Sequence, residues 1–359
     1  MQKEKLKNSP KRKWSKIVGT ILFVLLNAVV ILITAISEFG NSKDAAELSE
    51  VKINAWLLLP AIGLFLVATL ANVYKYVLMM RGAYKKDERP KNSQIWKTAW
   101  RVVMLGKYYD NVTPAAVGGQ PFQIYYMRKN SALSKGHTTS IPMVGMIAGQ
   151  IGFLIIAVFC FLFGGIFKDN PALFLTAWLG LLFFAFWPVM VAGVSFFPKA
   201  TARFLKWIVK ILAKIKVVKN REKTLDRVED EVREYADSVK MILKTRGLFF
   251  KTILLATIYT ILTMMIPFFV LQAFGGNVGF LECFALTVAV TSAVYFIPTP
   301  GNSGAAEGTF FIVFSALSTG YVFWAMLVWR FFSYYVYILI GWLLYLKMHF
   351  EKKRDKIKR

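Results

Sequence analysis

Six stretches of the chain are apolar for long enough to cross a bilayer: about 17–37, 54–79, 138–166, 172–196, 250–273 and 321–346. A spanning helix needs roughly 20 such residues, so each stretch predicts a full transmembrane helix. The first follows a basic segment but exceeds the roughly 7–15 apolar residues of a cleaved signal peptide, and predicts an uncleaved span. Two more stretches, about 93–127 and 280–318, are interrupted by helix breakers. Each carries the frame Thr-Pro-x-x-x-Gly, as Thr113-Pro114 to Gly118 and as Thr299-Pro300 to Gly304. Proline and clustered glycine end helices, and a bilayer tolerates broken backbone only where protein or a water-filled cavity surrounds it.

Loop charge orients these elements. Basic residues cluster at 3–16, 81–97, 128–135, 199–251 and 347–359, whereas the loops at 38–52, 168–170 and 274–280 are acidic or nearly uncharged. That asymmetry is the positive-inside pattern, and it places both termini in the cytoplasm of a bacterial-type cell membrane. It also explains the net charge of +25 without nucleic acid, which would need a continuous basic surface interleaved with exposed aromatics. Attraction to anionic lipid heads at the inner leaflet fits the same distribution.

With the spans oriented, 93–127 must open to the cytoplasm and 280–318 must open outward. Arms of about 15 residues reach roughly 22 Å at 1.5 Å per residue, past the middle of a roughly 30 Å core but not across it. Both stretches therefore predict re-entrant hairpins. Residues 1–168 then read span, span, hairpin, span from the inside, and residues 169–359 repeat that order from the outside. The predicted fold is an all-α integral membrane protein with six full spans, two oppositely oriented re-entrant hairpins and an inverted-topology repeat. In such folds the transport site lies at the repeat interface near the midplane.

A cytoplasmic amphipathic insertion, about 197–250, interrupts the second repeat. Lys206, Lys210 and Lys214 recur every fourth residue, which predicts a helix lying on the inner leaflet. A second helix follows at about 221–245, with an apolar face of Leu225, Val228, Val232, Tyr235 and Val239.

Ionisable residues inside a membrane are expensive and mark function by default. Four stand out: Lys107 and Asp110 before the first break, Glu307 after the second, and Arg330 in the last span. Glu307 and Arg330 are expected to pair, either as a structural fixture or as part of a transport site. The tips suit an anion, because a helix beginning near the midplane points unpaired N–H groups and a positive dipole end at the membrane centre. Thr113-Pro114 reads as a helix cap followed by proline at the first position. Gly118, Gly119, Gly301 and Gly304 permit close approach to the backbone. Cys160, Cys283, His137 and His349 have no partners at ligand spacing, so neither a disulfide framework nor a metal site is expected. No Gly-x-x-x-x-Gly-Lys-Ser/Thr phosphate loop is present, and no cofactor is expected.

Tyr109-Asp110-Asn111-Val112-Thr113-Pro114 followed by Gly118-Gly119-Gln120-Pro121, with Pro298-Thr299-Pro300-Gly301 and Gly304 to Glu307, resembles the flippase-like family of the lysylphosphatidylglycerol synthase transmembrane region. The resemblance covers nearly the whole chain. It implies movement of aminoacylated phosphatidylglycerol or a related lipid to the outer leaflet, with resistance to cationic peptides as one consequence. Membrane phospholipids with anionic or aminoacylated head groups are the implied partners, beside a second copy of the chain or a separate lipid-modifying enzyme. Bifunctional members add a soluble domain that transfers lysine from its tRNA to the lipid. Here the sequence ends at Arg359, so that activity is not expected of this chain. A role in aminoacyl-lipid synthesis and secondary transport of a small anion are the alternatives to lipid translocation.

Overall fold

The computed structural model describes residues 53–113, 118–163, 171–214, 221–294, 297, 299, 301–315 and 322–357. The span expected at 17–37, the loops at 38–52 and 168–170, and Pro114, Pro298 and Pro300 lie outside the described residues. Within them every regular element is helical and no strand occurs. In chain order the helices are α1 (Leu58–Ala83), α2 (Asn92–Val112), α3 (Gly119–Asn130), α4 (Lys135–Phe163), α5 (Pro171–Phe196) and α6 (Pro198–Lys214). Then come α7 (Arg221–Lys244), α8 (Arg246–Ala273), α9 (Phe280–Val294), α10 (Ala305–Ser315), α11 (Val322–Arg330) and α12 (Val336–Ile357).

Four segments are long and apolar enough to cross a membrane: Ala55–Ala83, Lys135–Leu162, Arg246–Ala273 and Val322–Met348. They coincide with the expected spans at 54–79, 138–166, 250–273 and 321–346. The expected span at 172–196 is helical as α5, with its apolar part at Ala177–Met190. Both interrupted stretches fold as helix, break, helix. Arm lengths depart from the expected 15 residues, because α2 has 21 and α10 has 11.

The first break follows from local chemistry. Thr113 has φ −114° and ψ 144°, the extended geometry that a following proline imposes, so α2 stops there. At the second break Gly301, Asn302 and Gly304 all have positive φ, at 57°, 56° and 87°. Glycine and asparagine are the residues that adopt this region at least cost.

Two cores hold the helices together. The larger joins residues of α1, α2, α3, α4, α7, α8, α9, α10, α11 and α12, while a second is built from α5 with other residues of α4 and α9. The α1–α8 contact is the most extensive between any two helices. Helices approach closely at small residues, as membrane interfaces favour: Gly180 of α5 lies against the Ser292 backbone of α9, and Gly341 of α12 lies against Tyr108 of α2.

The 197–250 insertion forms two packed helices. Ala202 and Val209 of α6 are buried, as are Val232, Ala236 and Val239 of α7. Lys206 pairs with Glu229 across them, and that hydrogen bond holds the Glu229 carboxyl below the usual carboxylate range. Lys206 is therefore bound to α7. Phe204 and Trp207 remain exposed on α6.

Candidate functional site

The second break is organised around one ion pair. Glu307 and Arg330 are 2% and 4% exposed, and Arg330 Nε donates to Glu307 Oε1 at 2.7 Å. The other carboxylate oxygen, Oε2, accepts the Gly304 N–H at 2.7 Å. Gly304 stands immediately before α10 and Glu307 is its third residue, so the carboxylate caps its own helix as in one half of a capping box. Arg330 Nη2 also lies 3.4 Å from the Gly301 carbonyl and 3.3 Å from Ser303 Oγ, and its guanidinium sits 4.5 Å from the Tyr334 ring centre.

The first break uses the opposite arm for the same purpose. Asp110 Oδ1, on α2, accepts the Gly119 N–H that opens α3, at 2.9 Å. Thr113 Oγ1 accepts the Gly118 N–H at 2.9 Å and donates to the Tyr109 carbonyl at 2.6 Å. The amides of Gly118, Gly119 and Gly304 are thus all occupied by side chains of the chain itself. This corrects the expectation of unpaired N–H groups at these positions: short polar side chains reach the helix starts before any ligand does.

The two breaks meet. Asn111 Nδ2 donates to the Tyr334 carbonyl at 3.2 Å, and Tyr334 Oη lies 3.4 Å from the Asn111 carbonyl. A side chain on Gly301 would run into the Tyr334 ring and come within 3.0 Å of the Asn111 oxygen. Tyr334 is almost fully buried and belongs to a π-helical turn, Phe331–Tyr335, between α11 and α12. Such turns occur mostly as single insertions inside α-helices, frequently at functional sites.

Beside this junction lies a cavity of about 410 Å³, within the range of roughly 300–1,000 Å³ typical of ligand sites. Both interrupted stretches line it, through Lys107, Asp110, Asn111 and Gln120 on one side and Gly301 and Asn302 on the other, and Arg330 joins them. Lys107 lies over the Tyr259 ring at 5.5 Å. Apolar lining comes from Phe153, Phe184 and Met264, which belong to or pack on the second core. Of the other expected residues, Thr113, Gly118, Gly119, Gly304 and Glu307 shape the breaks without lining the cavity. Pro121 is exposed on α3, and Thr299 has a buried hydroxyl with no hydrogen-bond partner among the described residues. Described residues contain no cluster of three or more His, Cys, Asp or Glu side chains able to hold a metal ion.

Several lining residues were not anticipated. Lys75 and Asn72 of α1 are buried in the cavity wall. Lys75 Nζ donates to the Gly145 carbonyl at 3.3 Å. Gln123 of α3 donates to the Val102 carbonyl and accepts from Tyr76 Oη. Gln150 of α4 lines the cavity with a buried Oε1 that has no hydrogen-bond partner among the described residues. The signal for Lys75 is its position as a lone charge inside the apolar run at 54–79, where an ionisable residue marks function as strongly as in a hairpin.

Four helices long and apolar enough to cross a membrane, packed around a chamber with polar and apolar walls, define a multi-pass membrane protein. Residues 17–341 match the family described as lysylphosphatidylglycerol synthase TM region, and the chain belongs to that family. It is also similar to a UPF0104 membrane protein of Methanothermobacter thermautotrophicus, with 22% identity over 218 residues. That match covers 60% of this chain and 64% of the archaeal relative.

Proposed function

We propose that the protein is a lipid translocase that moves phospholipid with an anionic or aminoacylated phosphatidylglycerol-type head group between the leaflets of the cytoplasmic membrane. The cavity carries this reading. Its polar wall joins both hairpins, and its apolar wall of Phe153, Phe184 and Met264 suits a ligand with a charged head and a hydrocarbon tail. In this reading the two halves, 1–168 and 169–359, form an inverted repeat with both termini cytoplasmic. The corresponding packing of α1 on α2, α2 on α3 and α3 on α4 with α8 on α9, α9 on α10 and α10 on α11 supports that arrangement. A membership whose family is described by lysylphosphatidylglycerol synthesis supports lipid handling in general. It leaves a supporting role in aminoacyl-lipid synthesis as the runner-up.

Leaflet exchange of labelled phosphatidylglycerol in reconstituted vesicles tests the proposal. Gly149 lines the cavity, and a Cβ placed on it meets nothing within 4 Å. Gly149→Phe therefore directs a bulky ring into the chamber from a position with open space at the Cβ. Exchange should exceed that of empty vesicles and fall at least tenfold in the variant. Equal rates in the two proteins would remove the cavity from the path. Uptake of free phosphate without lipid exchange would turn the protein into a small-anion transporter.

A further inference from the structure

We propose that Lys75 anchors the phosphate of the ligand and that the site selects a net-anionic head group over an aminoacylated one. The inference rests on the translocase reading of the same cavity.

Formal charges around the chamber do not cancel. Lys75, Lys107 and Arg330 line it, against Asp110; adding Glu307, which is bonded to Arg330, gives three basic against two acidic side chains, a formal surplus of one positive charge. Arg330 is satisfied by Glu307, whereas Lys75 and Lys107 form no ion pair among the described residues: Lys107 lies over the Tyr259 ring, and Lys75 donates to the neutral Gly145 carbonyl beside the Tyr76 ring. Of the two, Lys75 is the buried one, at 5% exposure. A buried ammonium is strongly disfavoured unless paired, and an anion in the chamber would supply the partner that keeps Lys75 charged. An ammonium has three donors, and one carbonyl leaves two free for phosphate oxygens.

A second observation points to the same ligand from α4. Gln150 Oε1 is buried in the lining without a hydrogen-bond partner among the described residues, and it follows Gly145 on α4 by five residues. A donor is needed there. A hydroxyl on the head group beyond the phosphate meets that need without adding positive charge. A head group bearing an extra amino-acid ammonium would bring like charge to a chamber that already holds Lys75 and Lys107.

Binding rather than transport tests this, with the full chain in lipid nanodiscs or neutral detergent read by native mass spectrometry. The probes are phosphatidylglycerol, lysyl-phosphatidylglycerol, phosphatidylcholine and inorganic phosphate. Phosphatidylglycerol should bind at least tenfold tighter than the lysylated and choline lipids. Lys75→Met should reduce phosphatidylglycerol binding at least tenfold, and Lys75→Arg should retain most of it. Inorganic phosphate that displaces the lipid shows the anchor reading phosphate alone; failure to displace shows it reading phosphate within a lipid. Equal or tighter binding of the lysylated lipid overturns the selectivity, and unchanged binding in Lys75→Met overturns the anchor. The wild-type preference decides the matter if the methionine variant does not fold. Preference without leaflet exchange removes the translocase and keeps the anion site, while exchange without preference does the reverse.

Discussion

Arg330 and Glu307 stand 2.7 Å apart in a region where neither residue is more than 4% exposed. The pair spans the second break, and each member also holds backbone there. Removing one partner of a buried pair typically costs about 3–5 kcal/mol, because the other charge is left unpaired. Arg330→Met should therefore lower the thermal midpoint of the purified protein sharply, and Arg330→Met with Glu307→Gln should recover much of the loss. A single variant as stable as the wild type would show that the pair is not the fixture of this hairpin.

Thr113 tests the first break. Its hydroxyl serves as donor and acceptor at once, so Thr113→Ser should be nearly silent. Thr113→Val keeps the shape and loses both bonds, and should cost about 1 kcal/mol, as the loss of a helix cap does. Denaturation in mild detergent with increasing urea would reveal the difference. Equal stability of the valine and serine variants would contradict it.

Glycine acts differently at different positions. Gly301 has φ 57° and no room for a side chain beside Tyr334, so Gly301→Ala should destabilise by at least about 1–2 kcal/mol through the left-handed backbone alone. Gly63 lies within α1 with nothing within 4 Å of an added Cβ. Gly63→Ala should instead stabilise by up to about 1 kcal/mol through helix propensity. Thermal midpoints that moved in the same direction for both would refute the distinction.

Orientation is open to direct chemical test. Cys160 and Cys283 are both buried, so an impermeant thiol reagent applied to intact cells should leave the native chain unlabelled. Asn277→Cys, between α8 and α9, should label from outside. Lys91→Cys, just before α2, should label only after permeabilisation. The reverse pattern would invert the topology.

Much of this fold was legible because bilayer spans announce themselves by composition. The runs at 54–79, 138–166, 250–273 and 321–346 needed only length and apolarity, and the breaks needed only proline and glycine. Glu307 and Arg330 were legible as a pair because buried charges in nearby segments have few alternatives. The satisfaction of the tip amides was not legible, since Asp110 reaching Gly119 depends on how closely two arms pack. Nor was the contact of Asn111 with Tyr334, 223 residues away, or the π-turn that carries Tyr334, which has no glycine or proline to mark it. Lys75 was visible as a charge, but its place in the chamber required the packing of α1 on α8.

The occupied amides at Gly118, Gly119 and Gly304 bear on the resting state of the protein. A broken helix in a membrane ordinarily depends on something to quiet its loose ends, and a passenger could fill that part. Here Thr113, Asp110 and Glu307 fill it permanently. The amides that open α3 and α10 are consequently satisfied by the chain itself. On the translocase reading, arrival and departure of a lipid would then need no refolding of the tips.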